Sequence, residues 1–257
     1  MAKRQNRRAE ALVANGSNHH TSSNFKGNNT VVLDSYRKPA QQRPITLLPK
    51  SLTQETYIDL LTDPTKLIVF ATGRAGTGKT MLAVLAALKA YRAGQIEKIL
   101  ITRPTIGVDE EEHGFLPGDL TEKMAPWCTP ILDIIAEYYK QTEIVKMLED
   151  KTIELAPLAF QRGRTFKNAW IIFDESQNSS INQMKMLLTR LGDNSKLVVT
   201  GDLQQTDRQF TKNNGLLDFI ERMKTNDSDV FGHVEFAGRD IQRSKAVREV
   251  LKLYGEE

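Results

Sequence analysis

The chain of 257 residues has one cysteine, Cys128. A lone thiol excludes an intramolecular disulfide and a cysteine-based zinc site, and it suits a reducing cytosol. Cys128 itself reads as a small apolar residue at the edge of a core. No apolar run approaches the ~20 residues that span a bilayer. The N-terminal MAKRQNRRAE also lacks the apolar segment of a signal peptide. The expected location is cytoplasmic, with no membrane partner. Apolar residues are scarce over residues 1–43, which are rich in Asn, Ser, Gln and Arg. Such a segment buries too little surface to offset chain entropy, so it is expected to be a disordered or loosely docked arm, ahead of one domain over residues 44–257. The first 44 residues carry eight basic and two acidic groups, a local charge of +6, which leaves −3 for the rest of a chain of net charge +3. A basic arm can bind nucleic-acid phosphate, and a solubilising tail accounts for it equally well. His19 and His20 lie in this arm without partner ligands and are expected to face solvent.

What the chain does contain centres on residues 67–80, LIVFATGRAGTGKT. Leu67, Ile68, Val69 and Phe70 read as a short buried strand, and Met81 to Tyr91 as a helix. Between them, Gly73, Arg74, Ala75, Gly76, Thr77, Gly78, Lys79 and Thr80 fit G-x-x-x-x-G-K-[ST]. Glycines let a loop wrap closely around phosphate with its N–H groups turned inward, and the following helix adds its positive dipole end. Lys79 would then meet the β- and γ-phosphates, and the Thr80 hydroxyl a Mg²⁺ ion. No NKxD stretch is present to read guanine, which disfavours GTP.

Upstream, Leu52, Tyr57, Ile58, Leu60 and Leu61 form an amphipathic segment with Ser51 or Thr53 as N-cap. Gln54 lies on it, where its amide could pair with an adenine edge or merely face water. Downstream, Lys98–Thr102 is a second strand, ending at Arg103 and Pro104. The loop that follows holds Asp109 to Glu112, acids that suit solvent better than a metal, because dedicated sites need spaced, converging ligands. The segment after it reads as helical beyond Pro130. Ile153 to Leu158 reads as a strand before the basic Arg162 and Arg164, residues suited to phosphate contact though common on surfaces. Trp170 to Phe173 is a strand that delivers Asp174 and Glu175. In phosphate-loop enzymes such a pair divides the labour: Asp174 for the metal, Glu175 to polarise the attacking water.

Ile181 to Leu191 is a helix, and Lys196 to Thr200 a buried strand that delivers Gly201, Asp202 and Gln205, polar groups placed to sense a γ-phosphate. A helix over Gly215–Met223 and a strand over Val234–Ala237 follow. The last helix is expected to start near Asp240 as N-cap, with Val247, Val250, Leu251 and Tyr254 as its apolar stripe. Arg243 falls off that stripe, a candidate finger for another subunit's γ-phosphate.

Taken together, GRAGTGKT, LITRP, GFLPGDL-EK, APLAFQRGRTF, IIFDESQN, QMKMLLTRLG and TGDLQQTD resemble the PhoH-like family of phosphate-starvation-inducible ATPases, itself similar to the first RecA-like core of superfamily 1 helicases. The resemblance covers about Gln54 to Tyr254. It implies a three-layer α/β P-loop domain with a mostly parallel sheet, binding ATP and Mg²⁺. It implies that Gly73 to Thr80 is Walker A, Asp174 and Glu175 Walker B, and Gly201, Asp202 and Gln205 helicase motif III. Gln54 becomes the adenine-reading glutamine, and Arg243 a C-terminal arginine acting across a ring interface. Arg103, Arg162 and Arg164 fall in family motifs without an assigned step, with nucleic-acid contact as a candidate role. A homo-oligomeric ring is expected, with a hexamer as candidate size, and RNA or single-stranded nucleic acid as partner. Ser176 stands where the family usually has alanine, and the loop of Asp109 to Glu112 and Trp127 departs further. No second RecA-like domain follows Tyr254 and no nuclease domain precedes the core, so single-chain stepping and RNA cleavage are not expected. Two functions fit: an ATPase linked to RNA remodelling or unwinding, and a nucleotide-switched binding protein with slow hydrolysis.

Overall fold

The computed structural model describes residues 43–104, 120–207, 211–226 and 228–253; the arm, the acids of Asp109 to Glu112 and Tyr254 lie outside them, as does the Trp127 side chain. In chain order the elements are α1 (Leu52–Thr62), β1 (Ile68–Gly73), α2 (Lys79–Arg92), β2 (Lys98–Thr102), α3 (Leu120–Ala136), α4 (Gln141–Glu149) and β3 (Ile153–Leu155). They continue with β4 (Ala169–Phe173), α5 (Ile181–Leu188), β5 (Lys196–Gly201), α6 (Gly215–Thr225), β6 (Phe231–Phe236) and α7 (Lys245–Leu253). The six strands form one sheet in the order β3-β2-β4-β5-β1-β6. Every pairing is parallel, among them Phe70 with Val199 and Phe173 with Val199.

Side chains alternate across each strand, and that alternation separates two cores. Val69, Ala71, Ile99, Ile101 and Ile172 face one side, packed with Tyr57 and Leu61 of α1, the alanine-rich α2, and Ile131 and Ile144 of α3 and α4. Phe70, Leu100, Ile171, Phe173 and Val199 face the other, against Met184 and Leu187 of α5 and Leu216 and Ile220 of α6. The result is the expected three-layer α/β architecture. Because the strands run parallel, all their C-terminal ends meet at one edge, where open α/β sheets bind ligands.

Several boundaries differ from the sequence reading. The helix after the glycine loop opens at Lys79, two residues early, because the loop needs helical N–H groups directly behind its last glycine. α3 begins at Leu120 and runs through Pro126 and Pro130, held by burial of Cys128, Ile131 and Ile135. α4 was not anticipated; Ile144 and Met147 anchor it, and the Lys140 N–H donates to Glu143 at its start. The strand at Ile153 ends at Leu155 and yields to a 3-10 turn over Leu158–Gln161. α5 stops at Leu188 rather than Leu191, and β6 starts earlier, at Phe231. Asp240 does not cap the last helix. Its carboxylate accepts from the Ala237 N–H at 3.0 Å and closes a 3-10 turn over Gly238–Asp240, while Ser244 accepts from Val247 N–H at the true start of α7.

Candidate functional site

The loop from Gly73 to Gly78 leaves β1 with φ of 114°, 77° and 85° at its three glycines, a left-handed set that side chains resist. At Gly73 the requirement is also spatial, since a Cβ would collide with the Phe236 carbonyl of the neighbouring β6. The loop borders a cavity of about 270 Å³ that Thr80, Asp174, Glu175, Asp202 and Gln205 also line. The loop, Asp174, Glu175 and Gln205 thus meet at one place on the C-terminal edge.

Lys79 is folded back onto its own loop. Its Nζ donates to the Gly73 carbonyl at 2.5 Å, to the Arg74 carbonyl at 2.7 Å and to the Thr77 hydroxyl at 3.4 Å. Burial lowers its pKa, opposed by the charges of Asp202, Asp174 and Glu175. The Thr80 hydroxyl donates to Asp174 Oδ1 at 2.9 Å, tying the end of the loop directly to the end of β4. Thr200 of β5, between β1 and β4, donates to the same oxygen at 2.5 Å. Arg103, just past β2, donates to Asp174 Oδ2 through Nε at 3.1 Å and through Nη2.

Glu175 sits in the left-handed region with φ 54° and ψ 35°. For a non-glycine residue that conformation is uncommon and is held only where the surroundings over-determine it. Here they do: Gln177 Nε2 donates to Glu175 Oε2 at 2.7 Å, and the Gln177 Oε1 accepts from the Asp202 N–H at 3.1 Å. One amide therefore spans the ends of β4 and β5. Ser176 adds a second tie, donating to the Thr200 carbonyl at 2.8 Å, a contact an alanine could not make. Asp202 in turn accepts from the Ala75 N–H at 3.2 Å, which links β5 back to the glycine loop. Gln205 is exposed in the 3-10 turn that Asp202 opens.

Gln54 and Arg243 are both at the loop, in ways the sequence did not show. Gln54 is buried, its Nε2 donating to the Thr77 carbonyl at 2.9 Å and its Oε1 accepting from the Lys50 N–H at 2.7 Å. Both ends of the amide are used by protein, so in this structure Gln54 clamps the loop. Arg243 lies ahead of α7, not in its first turn, because the helix starts at Lys245. It lies beside the loop: the Gln242 N–H donates to the Gly76 carbonyl at 2.8 Å, and a Cβ on Gly76 would lie 2.5 Å from Arg243 Nε. Arg243 thus packs on the loop of its own chain.

The remaining arginines separate. Arg164 is locked into a two-pronged pair with Glu154 and lies 4.8 Å over the Phe166 ring, a structural contact. Arg162 is exposed, near the exposed Phe160. Cys128 is fully buried, and burial pushes its thiol up to about 11, with Arg103 pulling the other way. Sequence reasoning missed Thr200, Gln177 and the Arg103–Asp174 pair. Thr200 and Gln177 each lie within a quoted motif, TGDLQQTD and IIFDESQN, and that membership was the available signal.

The donor set suits a triphosphate with a divalent cation. Lys79 and Arg103 are two cations among Asp174, Glu175 and Asp202, so a triphosphate here needs further positive charge. Among the described residues no cluster of three or more His, Cys, Asp or Glu side chains is arranged to hold a metal alone. Thr80 and Asp174 would hold it together with the ligand's oxygens. Among the same residues no helix is long and apolar enough to cross a membrane.

A family model described as "PhoH-like protein" matches residues 46–255. The chain is 40% identical over 213 residues to the PhoH-like protein of Mycobacterium tuberculosis (strain ATCC 25618 / H37Rv), covering 83% of this chain and 59% of that one. It is 40% identical over 190 residues to the PhoH-like protein of Bacillus subtilis (strain 168), covering 74% and 59%. To Protein PhoH of Escherichia coli (strain K12) it is 39% identical over 216 residues, covering 81% and 58%. The chain thus spans about three fifths of the length of these curated relatives. Among solved structures, it overlies the large terminase of a thermophilic bacteriophage in complex with ADP with a TM-score of 0.45 at 16% identity, over 77% of this chain and 49% of that one. The Sulfolobus solfataricus SWI2/SNF2 ATPase core in complex with dsDNA gives 0.39 at 14%, over 78% and 48%.

Proposed function

The chain belongs to the PhoH-like protein family, and on that premise we propose that it binds ATP with Mg²⁺ at the cleft over β1, β4 and β5 and hydrolyses it. The single observation that carries this reading is the Thr80 to Asp174 contact of 2.9 Å, which brings the loop and the acid pair together. The loop N–H groups and the first turn of α2 receive phosphate, and Lys79 exchanges the Gly73 and Arg74 carbonyls for phosphate oxygens. Thr80 and Asp174 hold Mg²⁺, which when bound neutralises charge on the transferred phosphoryl group. Glu175, fixed by Gln177, takes the proton of the attacking water. Gln205, in the 3-10 turn after β5, reports the γ-phosphate to the surface. Gln54 holds the loop and reads adenine by exchanging one of its present partners. Arg243 contributes its charge beside Gly76 from within the chain; as a finger for a neighbour in a ring it would have to leave that position.

The work linked to hydrolysis is RNA remodelling or unwinding by a homo-oligomeric ring in the cytoplasm. The exposed Phe160, at 59%, two positions from the exposed Arg162 in the chain, supports single-stranded nucleic acid as partner, since stacking and charge together bind unpaired bases. A nucleotide-switched binding protein is the alternative. It is favoured by the resting contacts of Lys79 and Asp174, which must break before each turnover. ATPase rate with and without RNA at low salt separates the two. The reading itself is tested by Glu175→Gln, which should keep ATP binding and lower turnover roughly 10²- to 10⁴-fold. Turnover at the unmodified rate would refute the base assignment.

A further inference from the structure

Asp174 has more partners than a metal-binding carboxylate needs. Oδ1 accepts from Thr80 at 2.9 Å and Thr200 at 2.5 Å. Oδ2 accepts from Arg103 twice, through Nε at 3.1 Å and through Nη2. An ionised carboxylate has about four lone-pair sites, so these four donors fill it.

The Arg103 fork is built into the sheet. Its backbone carbonyl accepts from the Leu158 N–H at 3.0 Å, and the adjacent Thr102 carbonyl accepts from the Asp174 N–H at 3.0 Å. Main chain therefore fixes both ends of the pair. The side chains are 19% and 4% exposed, so the contact is shielded from water. Burial alone would lower the pKa of the guanidinium, but Asp174, through its charge and hydrogen bonds, and then Glu175 outweigh it and the net shift is upward. A buried arginine of this kind is stable because the carboxylate compensates it.

A divalent cation, or a water bound to one, must take a position on Asp174 that a donor now holds. Of the four, the two from Arg103 belong to a cation and oppose the incoming charge directly. We propose that Arg103 stands in for the divalent cation at Asp174. It neutralises the carboxylate while no metal is bound and gives way when metal arrives, so that metal binds against internal competition. Release leaves the guanidinium beside Glu175. The proposal rests on the reading of Asp174 as a metal-holding residue.

Binding of Mn²⁺ to the full chain with ATPγS, followed by electron paramagnetic resonance, tests it without relying on turnover. In R103A and in R103Q the Mn²⁺ concentration for half-saturation should fall roughly tenfold, the effect of removing a charge-assisted two-pronged contact. R103K keeps the charge but not the fork and should fall between them and the unmodified chain. R103Q decides the matter if R103A does not fold, and R103K if neither does. Unchanged or weaker Mn²⁺ binding in the folded variants would overturn the proposal. Failure of the unmodified complex to bind Mn²⁺ would instead overturn the metal-holding role of Asp174.

Discussion

Two lysines at opposite edges of the sheet share almost every local property. Lys79 and Lys196 are buried to 8% and 9% exposure. Each donates to backbone carbonyls: Lys79 to Gly73 and Arg74, Lys196 to Leu61 at 2.6 Å, Asp63 at 2.8 Å and Leu60 at 3.3 Å. Burial lowers the pKa of both, that of Lys196 to about 8. What separates them is the company they keep. Lys79 faces three carboxylates across a cavity, whereas Lys196 lies 5.5 Å over the Trp170 ring and closes the last carbonyls of α1. Burial and a shifted pKa therefore do not tell the two lysines apart; the acids and the open space beside Lys79 do.

That contrast breaks cleanly under substitution. Lys79→Ala should weaken ATP binding by roughly 100-fold or more, since it removes one member of a desolvated charge contact. Its melting temperature should change little, because the Gly73 and Arg74 carbonyls it leaves belong to residues that line open space and can meet water. Lys196→Ala should do the reverse, losing about 1–3 kcal/mol of stability by stranding helix-end carbonyls, with ATP affinity within about twofold of the unmodified chain. Isothermal titration and urea unfolding read the two axes. If both variants lost affinity together, the two edges would not be independent.

A smaller effect of pH sharpens the same contrast. The folded pKa of Lys196, about 8, lies below the ordinary value of 10.5. The unfolded chain thus holds this proton more tightly, and stability attributable to Lys196 should rise as pH climbs from about 8 towards 10.5. Below about 8 both states are protonated and the deficit is full and constant. Urea unfolding of the unmodified chain and Lys196→Met, compared at several pH values, should show the difference changing in that window; a flat difference would contradict it.

The two lysines also show what sequence can carry. Lys79 was legible because its neighbours Gly73, Gly78 and Thr80 are local, and a phosphate-binding turn needs them within eight residues. The strands were legible for the same reason, as short apolar runs such as KILIT and WIIF ending in turn residues. Lys196 gave no signal, because the carbonyls it bonds lie more than 130 positions away at the end of α1 and only the fold unites them. The contacts of Arg103 and Thr200 with Asp174 were hidden likewise: each reaches it from beside or within a neighbouring strand, and the order β2-β4-β5 is not written in any one motif. α3 was read short because Pro126 and Pro130 are helix breakers in isolation, and tertiary burial of Cys128 and Ile131 overrides that tendency. Arg243 was misplaced because Asp240 has the residue type of an N-cap but spends its carboxylate on Ala237.

The central claim is that the glycine loop and the acid pair serve one bound metal and triphosphate. A double-mutant cycle on the Mg²⁺-dependent part of ATPγS binding, with Thr80→Ala, Asp174→Asn and the pair, tests it most directly. If the two side chains act on the same ion, either change should abolish most of the Mg²⁺ dependence and the pair should add little, a coupling of at least about 1 kcal/mol. Losses that add to within about 0.5 kcal/mol would mean that the loop and β4 act separately.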